Sequence, residues 1–382
     1  MPVNSEIEAM RIVFWGTYDL GKPRNRILLR GLRENDVEVV ECHADVWSGI
    51  EDKSQVTGWG RRFMLLLRWI FAYPGLIVRY LRLPKHDAVI VCYPGQVDVL
   101  VLWPFARLRR VPIVLDAFLS LYNTVVEDRQ MVGPSHPLAR LLYGLEWLAC
   151  RAADRVVLDT RAHAEYFETT YRLSPQRTAA VFVGVEPEAF PPRGAGTTDR
   201  PSGAPITVLF YGQFIPLHGV DTIVRAARMP VDEPVEWVLI GQGQEEARIR
   251  RMLDEHPLGH LRWIPWVAYE ELKDWIARAD VCLGIFGDTD KAARVIPNKV
   301  FQVLAVGAPL ITRDSPAIRE LVDDETPGVY LVPPGDPAAL AAAVRRFAAE
   351  RRNMAGLYCA LNARFSPSAI GQEWLSLVRA TA

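Results

Sequence analysis

Short apolar segments alternate with helical patterns along almost the whole chain, and most of these segments end at a glycine or an aspartate. This alternation is typical of a doubly wound α/β fold, in which helices join parallel strands and cover both faces of the sheet. The segments form two series of six, which predicts two sheets. The first series is 11–15, 37–42, 88–91, 112–115, 155–158 and 179–182, and the second is 206–211, 235–240, 261–264, 281–285, 309–312 and 329–332.

The two series are separated by a segment rich in proline, glycine and threonine, residues 191–205, which is typical of an interdomain linker. A chain of 382 residues is long enough for two domains. We therefore predict an N-terminal domain at 1–195, a C-terminal domain at 196–365, and a last helix within 366–382 that packs back on the first domain. Ligands of such sheets bind beyond the carboxyl ends of the strands, so the active site is expected in a cleft between the domains.

A helix start in the second domain is the most informative local feature. The sequence predicts a helix that begins at Pro297, with Asn298 and Lys299 in its first turn and Arg294 in the polar loop before it. Free backbone N–H groups and the positive end of the helix dipole make such a start an anion site. We expect Lys299 to contact a diphosphate and Gln302 to contact a ribose hydroxyl from the same side of the helix. The alternative is a lysine that points to solvent, although a cation there opposes the dipole.

Two glycine-containing loops follow the first two strands of the second series and provide candidate ligand contacts. Glycine lets the backbone approach a ligand closely, and glutamine and histidine donate hydrogen bonds to phosphate or sugar oxygens. The second loop fits either a tight turn with a helix cap or a contact to the nucleotide base or phosphate, because a dinucleotide-binding turn needs a third small residue. The candidates are Gly212, Gln213, His218 and Gly219 in the first loop, and Gly241 and Gly243 in the second.

Polar residues also follow several strands of the first series. They share one predicted edge of the sheet, where each is either a turn former or cap, or a contact to an acceptor hydroxyl. These residues are Gly16, Thr17, Tyr18, Asp19, Arg24, Asn25, Arg26, Asp116, Asp128, Arg129, Asp159 and Thr160.

The sequence offers little support for a metal site. Asp288 and Asp290 are two residues apart and together can hold a divalent cation, but a chain with this aspartate content contains such a pair by chance. Histidines and cysteines do not cluster at zinc-ligand spacings. We predict no metal and no cofactor.

Charge and cysteine usage narrow the class of protein further. The chain has 44 Lys and Arg against 45 Asp and Glu, so its net charge of −1 does not attract nucleic acid. Its five cysteines form no CxxC pair, and most lie in or beside apolar segments, as expected in a reducing cytosol. The first ten residues lack a secretion signal pattern. These features predict a cytoplasmic protein without a nucleic-acid partner.

One segment, residues 58–85, has two interpretations. It is strongly apolar, but Arg68 and Arg79 lie inside it and Pro74 divides it, so we expect that it does not span a bilayer. Its arginines fall on one side of a helical wheel and its aromatic residues suit an interface. The segment fits either two core-packed helices with snorkelling arginines or a peripheral patch on the inner face of the cytoplasmic membrane.

Together these motifs resemble the retaining GT-B glycosyltransferases, a large class that includes sucrose synthases and phosphatidylinositol mannosyltransferases. The resemblance covers nearly the whole chain and implies two Rossmann-like domains that face each other across a cleft. It is carried by the loop from Gly212 to Gly219, Gly241-x-Gly243, the segment 269–281, Pro297-x-Lys299 and Gly307-x-Pro309.

The chain departs from the usual pattern of that class at four positions. The usual arginine, lysine and two glutamates are replaced here by Gln213, His218, Arg294 and Gln302. One branch of the class has a Pro-x-Lys helix start in place of the glutamate motif, and this chain resembles that branch. The resemblance implies that Asp116 lies beside the transferred sugar and that Lys299 and Arg294 stabilise the leaving diphosphate.

The implied activity is transfer of a hexosyl unit from a nucleoside diphosphate sugar to an acceptor hydroxyl, with retained configuration and no obligatory metal. The acceptor is lipid-linked if residues 58–85 contact a membrane. Two alternatives remain at this point: a sugar-nucleotide epimerase on the same fold, and a catalytically silent donor-binding subunit of a glycan-assembly complex.

Overall fold

The computed structural model describes residues 10–47, 59–194, 204–350 and 358–381. Within these residues the chain forms two parallel sheets of six strands each, so the predicted pair of doubly wound α/β domains is confirmed. Most of the predicted linker, and the start of the chain on which the secretion-signal prediction rests, lie outside the described residues.

The N-terminal sheet has the strand order β2-β1-β3-β4-β5-β6. Most of its strands are largely apolar because helices cover both faces, although Glu38–His43 at one edge contains two glutamates; in β1, Ile12 and Phe14 enter one core cluster, and Val13 and Trp15 enter the other. The elements of this domain are β1 (Arg11–Gly16), α1 (Pro23–Glu34), β2 (Glu38–His43), α2 (Trp59–Arg82), β3 (Ala88–Val91), α3 (Gln96–Arg109), β4 (Ile113–Phe118), α4 (Pro137–Ala152), β5 (Arg155–Leu158), α5 (Arg161–Tyr171) and β6 (Thr178–Ala180).

The C-terminal sheet has the order β12-β11-β10-β7-β8-β9, so the chain reverses direction across the sheet between β7 and β10. Ligands of open α/β sheets bind in the crevice at such a reversal. The elements are β7 (Ile206–Tyr211), α6 (Val220–Ala227), β8 (Val235–Ile240), α7 (Glu246–Glu255), β9 (Leu261–Ile264), α8 (Leu272–Arg278), β10 (Val281–Leu283), α9 (Asp290–Arg294), α10 (Asn298–Val306), β11 (Leu310–Arg313), α11 (Pro316–Arg319), β12 (Val329–Val332), α12 (Pro337–Glu350), α13 (Cys359–Ala363) and α14 (Pro367–Arg379).

The last helix, α14, returns to the N-terminal domain and packs against α1. Two glycines form the crossing: a Cβ on Gly31 would lie 2.1 Å from the carbonyl oxygen of Pro367, and a Cβ on Gly371 would lie 2.1 Å from the carbonyl carbon of Gly31. Asn35 at the end of α1 also donates a hydrogen bond of 2.8 Å to the carbonyl oxygen of Ser368. The two backbones therefore touch where no side chain fits between them.

The prediction that Pro74 divides the apolar segment is wrong, because α2 runs unbroken through it. The interpretation as core-packed helices is also wrong for most of α2, since 11% of its most apolar window is buried, although Leu76 and Tyr80 do enter the core. By length and composition alone, Phe63–Arg82 is long and apolar enough to cross a membrane. A proline removes one helical hydrogen bond, and here the helix beyond it is held by Arg109, which donates to the carbonyl oxygens of Tyr80 and Leu83 at 2.6 and 2.8 Å.

We expect Gly371→Val to lower the free energy of unfolding by about 1–3 kcal/mol, because the new side chain separates α14 from α1. Gly144→Ala is the matched control: it lies within α4, nothing lies within 4 Å of its added Cβ, and alanine favours helix. Urea unfolding followed by circular dichroism measures both variants. Equal stability of the two would show that the glycine crossing is not a stabilising contact.

Candidate functional site

Lys299 lies in the first turn of α10, and its ammonium group reaches the crevice between the carboxyl ends of β7 and β10. Its Nζ is 3.5 Å from the carbonyl oxygen of Gly284, which follows β10, and 3.8 Å from the centroid of the Phe210 ring in β7. Pro297 is the residue immediately before the helix and has extended backbone, so the helix begins one residue later than predicted. The lysine thus occupies the position where this class of sheet binds its ligands.

The ammonium of Lys299 is buried without a negative partner. The residue is 5% exposed, and burial is the cause that lowers its pKa well below the usual value. Within the described part of the chain, no carboxylate forms an ion pair with Lys299. A buried cation with no counter-ion is costly, so an anionic ligand that enters the crevice gains favourable electrostatic energy.

Glycine is required in the backbone around this lysine. Gly212 has φ of 139°, and a Cβ there would lie 3.0 Å from Nζ of Lys299. Gly241 has φ of 149°, and its Cβ would lie 1.9 Å from the carbonyl oxygen of Gly212. The loops after β7 and β8 therefore pack backbone against backbone, which leaves Gly212 in contact with the ammonium group. Gly219 and Gly243 make similar close approaches, to Gly287 and Phe214 respectively.

His218 is neutral and its donor is already used. Its Nδ1 is hydrogen-bonded to the carbonyl oxygen of Gln213, so Nδ1 carries the proton and Nε2 is an acceptor. Burial, followed by the nearby charge of Lys299, lowers the pKa of His218 well below its usual value. The sequence predicts that this ring donates to a phosphate or sugar oxygen; in the structure its N–H is bonded within the loop, which leaves Nε2 as an acceptor.

Gln302 lies in the core under the first turn of α10. Its Oε1 accepts a hydrogen bond of 2.9 Å from the Tyr211 hydroxyl, which is also 3.2 Å from the carbonyl oxygen of Lys299. A ribose hydroxyl that contacts Gln302, as predicted, would therefore compete with this internal hydrogen bond from Tyr211. Asn298 is partly exposed in the first helical turn.

The polar loop that the sequence predicts before α10 contains the short helix α9. Thr289, which lies between the two aspartates Asp288 and Asp290, caps α9, since its side chain accepts a hydrogen bond of 3.2 Å from Ala292 N. Arg294, at the end of α9, donates to the carbonyl oxygen of Asp290 at 2.8 Å, and its guanidinium lies 4.0 Å from the centroid of the Tyr166 ring. The structure thus places Arg294 against the other domain.

Asp116 and Arg24 form a buried ion pair of 2.7 Å inside the N-terminal domain. Burial raises the pKa of Asp116 although the guanidinium of Arg24 opposes that shift. Arg24 also donates to the carbonyl oxygen of Val181 at 3.0 Å. Asp116 has no exposed surface and Arg24 almost none, so the contacts predicted for them with sugar and acceptor are replaced here by contacts with each other.

The other predicted acceptor residues mainly organise the loops of this sheet edge. Their bonds are internal: Thr17 N donates to Asp98 at 2.6 Å, Asn25 Nδ2 donates to the Asp19 carbonyl at 2.8 Å, Tyr18 donates to Glu41 at 3.0 Å, and Asp159 contacts Nδ1 of His163 at 2.7 Å. A Cβ on Gly16 would lie 2.2 Å from Asp98. Burial raises the pKa of Asp98 to about 6. Asp98 has no signal in the sequence, because nothing in the helical pattern of α3 distinguishes a buried, hydrogen-bonded carboxylate from an exposed one.

Several polar contacts join the two domains beside the site. Glu320 of the C-terminal domain accepts hydrogen bonds from Arg161 N and Ala162 N, at 2.7 and 2.9 Å, and so caps helix α5 of the N-terminal domain. Lys291 pairs with Asp128 at 3.4 Å, with both side chains buried. The sequence could not reveal these pairs, since each joins residues more than 150 positions apart.

Arg129 of the N-terminal domain approaches the glycine loop that follows β7. Its guanidinium is 3.5 Å from Oε1 of Gln213, and its carbonyl oxygen accepts a hydrogen bond of 3.1 Å from Gln244. Its charge also contributes to the lowered pKa of His218. Arg129 was expected at the acceptor edge, and it instead approaches the loop that carries His218.

Comparison with known proteins identifies the domain that holds this crevice. Residues 205–350 match the model of the family described as group 1 glycosyl transferases. Residues 205–350 belong to the group 1 glycosyltransferases. This glycosyltransferase domain contains the crevice, Lys299 and both glycine loops.

Similar glycosyltransferases include a chitobiosyldiphosphodolichol beta-mannosyltransferase from Eremothecium gossypii, which is 26% identical over 291 residues, 66% of this chain and 59% of that protein. A putative colanic acid biosynthesis glycosyl transferase, WcaI, from Escherichia coli is 27% identical over 141 residues, 36% of this chain and 34% of that protein. The chain therefore spans between about a third and three fifths of the length of these relatives.

Solved structures show that the glycosyltransferase fold is GT-B. A sucrose-phosphate synthase from Thermosynechococcus elongatus superimposes with a TM-score of 0.71 at 17% identity, covering 97% of this chain and 98% of the other. The Anabaena protein HepE in complex with UDP superimposes with a TM-score of 0.66 at 12% identity, covering 97% and 100%. At such low identity the similarity establishes the fold of the chain and nothing more.

The buried lysine predicts an unusual pH dependence of stability for this protein. The folded pKa of Lys299 lies well below its usual value of 10.5, so between these two pH values the unfolded chain binds the additional proton. The free energy of unfolding therefore rises with pH through that window. The lowered pKa of His218 gives a slope of the same sign, at pH values below its usual 6.5.

We expect Lys299→Met to make the nucleotide-free protein more stable at pH 7 and to reduce the slope, while Lys85→Met, at an exposed lysine, changes neither. Urea unfolding between pH 7 and pH 10 measures both effects. A Lys299→Met protein less stable than wild type at pH 7 would show that the folded chain satisfies the ammonium group by itself.

Proposed function

We propose that the protein transfers a hexosyl unit from a nucleoside diphosphate sugar to an acceptor hydroxyl. The observation that carries this proposal is a buried lysine without a carboxylate partner, at the strand reversal of a group 1 glycosyltransferase domain. Related proteins support a sugar-nucleotide donor: Anabaena HepE was solved with UDP and with UDP-glucose.

The diphosphate of the donor would lie at the start of α10. This helix has no side-chain cap, and although Val300 N donates to the Pro297 carbonyl, the N–H groups of Asn298 and Lys299 can donate to an anion. Lys299 supplies a positive charge from below, and Arg129 supplies a second from the opposite domain. His218 offers its acceptor nitrogen to a hydroxyl of the donor, and Gly212 allows the ligand to approach the backbone.

The chemistry in this proposal breaks the bond between the anomeric carbon and the diphosphate oxygen and forms a bond from that carbon to the acceptor oxygen. The acceptor proton passes to the leaving phosphate oxygen on the same face of the sugar, which retains the anomeric configuration and releases the nucleoside diphosphate. Negative charge builds on the leaving group in the transition state, where the helix start and Lys299 stabilise it without reorganisation. This route requires no general base and no metal ion.

Water must be kept out while the bond to the sugar breaks. The contacts of Glu320 with the start of α5, and of Lys291 with Asp128, hold the two domains together beside the crevice. We propose that they favour the closed arrangement in which an acceptor hydroxyl, rather than water, reaches the sugar.

We expect Lys299→Met to abolish the thermal stabilisation that the correct donor gives to wild type, and to lower kcat/KM by about 10²–10³-fold. A panel of UDP, GDP, ADP and TDP sugars, screened by thermal shift, identifies the donor for wild type, and Lys85→Met serves as the control. Transfer to acceptor is then followed by mass spectrometry. Normal turnover by Lys299→Met would contradict the proposed donor site.

We also expect Arg129→Ala to weaken binding of the nucleoside diphosphate by about tenfold, as a charge-assisted contact is lost. Adding Gln213→Arg to that variant returns a guanidinium to the same place, since Gln213 is the side chain that Arg129 contacts. Isothermal titration calorimetry measures recovery in the double variant. If Arg129→Ala binds like wild type, the diphosphate is held by the C-terminal domain alone.

The same assays distinguish the two other activities that the sequence allows. An epimerase releases free sugar and nucleoside diphosphate without forming an acceptor product. A silent donor-binding subunit binds the donor with no turnover for any acceptor pool. Either outcome contradicts glycosyl transfer.

A further inference from the structure

Three neighbouring helices of the N-terminal domain expose an unusually apolar outer surface. Helices α2, α3 and α4 pack side by side, and their inner residues join one core cluster on a face of the N-terminal sheet. Large apolar side chains are exposed on each of the three, and we call this surface the α2–α3–α4 face. Its exposed apolar residues are Phe63, Met64, Leu66, Ile70, Phe71, Val78, Leu81, Trp103, Leu108, Leu138, Leu141 and Leu148.

The charged residues of this face are all positive. Helix α2 contains no acidic residue, and the acidic residues of α3 and α4 are Asp98 and Glu146, both of which are buried. Asp98 accepts hydrogen bonds from Thr17 and Glu146 accepts them from Tyr171, so neither carboxylate faces outward. The exposed or partly exposed basic residues of the three helices are Arg68, Arg79, Arg82, Arg107, Arg109, Arg140 and Arg151. The three helices thus expose arginines and no carboxylate of their own, while Asp154, just beyond α4, pairs with Arg107 at 2.8 Å.

The second half of α2 is fixed along the domain. Leu76 and Tyr80 are fully buried, Cys42 contacts the Leu76 carbonyl, and Arg109 of α3 binds the carbonyl oxygens at the end of the helix. Within α2, the apolar side chains of the first half are more exposed than those of the second half, and Phe71 is 74% exposed. A helix held this way lies flat against its domain, which fits contact in the plane of a surface.

We propose that the α2–α3–α4 face binds the surface of an anionic lipid bilayer. The apolar side chains enter the boundary between headgroups and acyl chains, and exposed arginines such as Arg68 and Arg140 contact the lipid phosphates. A second copy of this chain does not fit the same face, because two such surfaces would oppose arginines to arginines with no exposed carboxylate on the helices to pair with them. The membrane contact is wider than residues 58–85, since α3 and α4 contribute to it.

The face adjoins the edge of the sheet where the acceptor was predicted. Trp69 of α2 lies edge-to-face with Trp47 at 5.7 Å between ring centroids, and Trp47 donates a hydrogen bond to the carbonyl oxygen of Thr17 at that edge. If the proposed glycosyl transfer holds, a hydroxyl carried by a membrane lipid would enter the cleft from this side. The binding of the face to lipid does not depend on that activity.

Vesicle flotation tests the proposal with the full chain. Wild type is expected to float with phosphatidylcholine vesicles that contain phosphatidylglycerol at low salt, to bind pure phosphatidylcholine much less, and to be released by high salt. Arg68→Glu and Arg140→Glu are each expected to weaken binding by at least about fivefold, which corresponds to one lost arginine contact. Failure of wild type to float at low salt, or equal binding to both kinds of vesicle, overturns the proposal.

Apolar variants locate the contact. Phe71→Ser on α2 and Leu141→Ser on α4 are each expected to reduce flotation, while Trp266→Ser, at an equally exposed apolar residue of the C-terminal domain, leaves it unchanged. Unchanged melting temperatures show that the variants remain folded. Flotation of either face variant equal to that of Trp266→Ser overturns the three-helix face, and so does a wild-type dimer that Phe71→Ser dissociates in sedimentation without lipid.

Donor binding separates this proposal from the proposed activity. Phe71→Ser and Leu141→Ser are expected to keep wild-type affinity for the sugar nucleotide, and Lys299→Met is expected to keep wild-type flotation. Loss of flotation in wild type with intact turnover rejects only the membrane face, and loss of turnover with intact flotation rejects only the transfer reaction.

Discussion

The burial of one ammonium group without a counter-ion is the constraint on which the candidate site depends. Lys299 is surrounded by an aromatic ring, a glycine backbone and a carbonyl oxygen, none of which compensates a full positive charge. The folded chain therefore carries an unfavourable electrostatic interaction that an anion at the start of α10 relieves. If the proposed diphosphate site holds, stability and affinity oppose each other at this residue.

The fold was largely predictable because buried parallel strands have a strong local pattern. Segments 206–211 and 235–240 are mostly apolar, each with one polar residue (Thr207 and Glu236), and each is followed by a glycine; they appear with the predicted bounds as β7 and β8. The start of α10 was predictable to within one residue, since Pro297 restricts its own backbone. The course of α2 through Pro74 was not, because tertiary contacts beyond the proline hold the helix.

The site was predictable in position but not in its partners. Most of the residues named from the sequence lie near the carboxyl ends of strands, yet Asp116 lies within β4, where Arg24 binds it, and Gln302 is bound by Tyr211, each across a long stretch of chain. Local sequence shows that a polar side chain follows a strand; it does not show which side chain from another element meets it. For the same reason Glu320 as the cap of α5, and Lys291 as the partner of Asp128, have no sequence signal.

The crossing of α14 over α1 makes the order of the chain differ from the order of the folded bodies. Residues that come after the whole C-terminal domain complete the surface of the first one, and the two glycines leave no room for a substitute. If the chain were cut at the linker, the N-terminal domain would therefore lose α14, and the apolar side of α1 would be exposed. The chain therefore passes between the two domains twice, once at the linker and once before α14. Any movement between the domains must bend both connections.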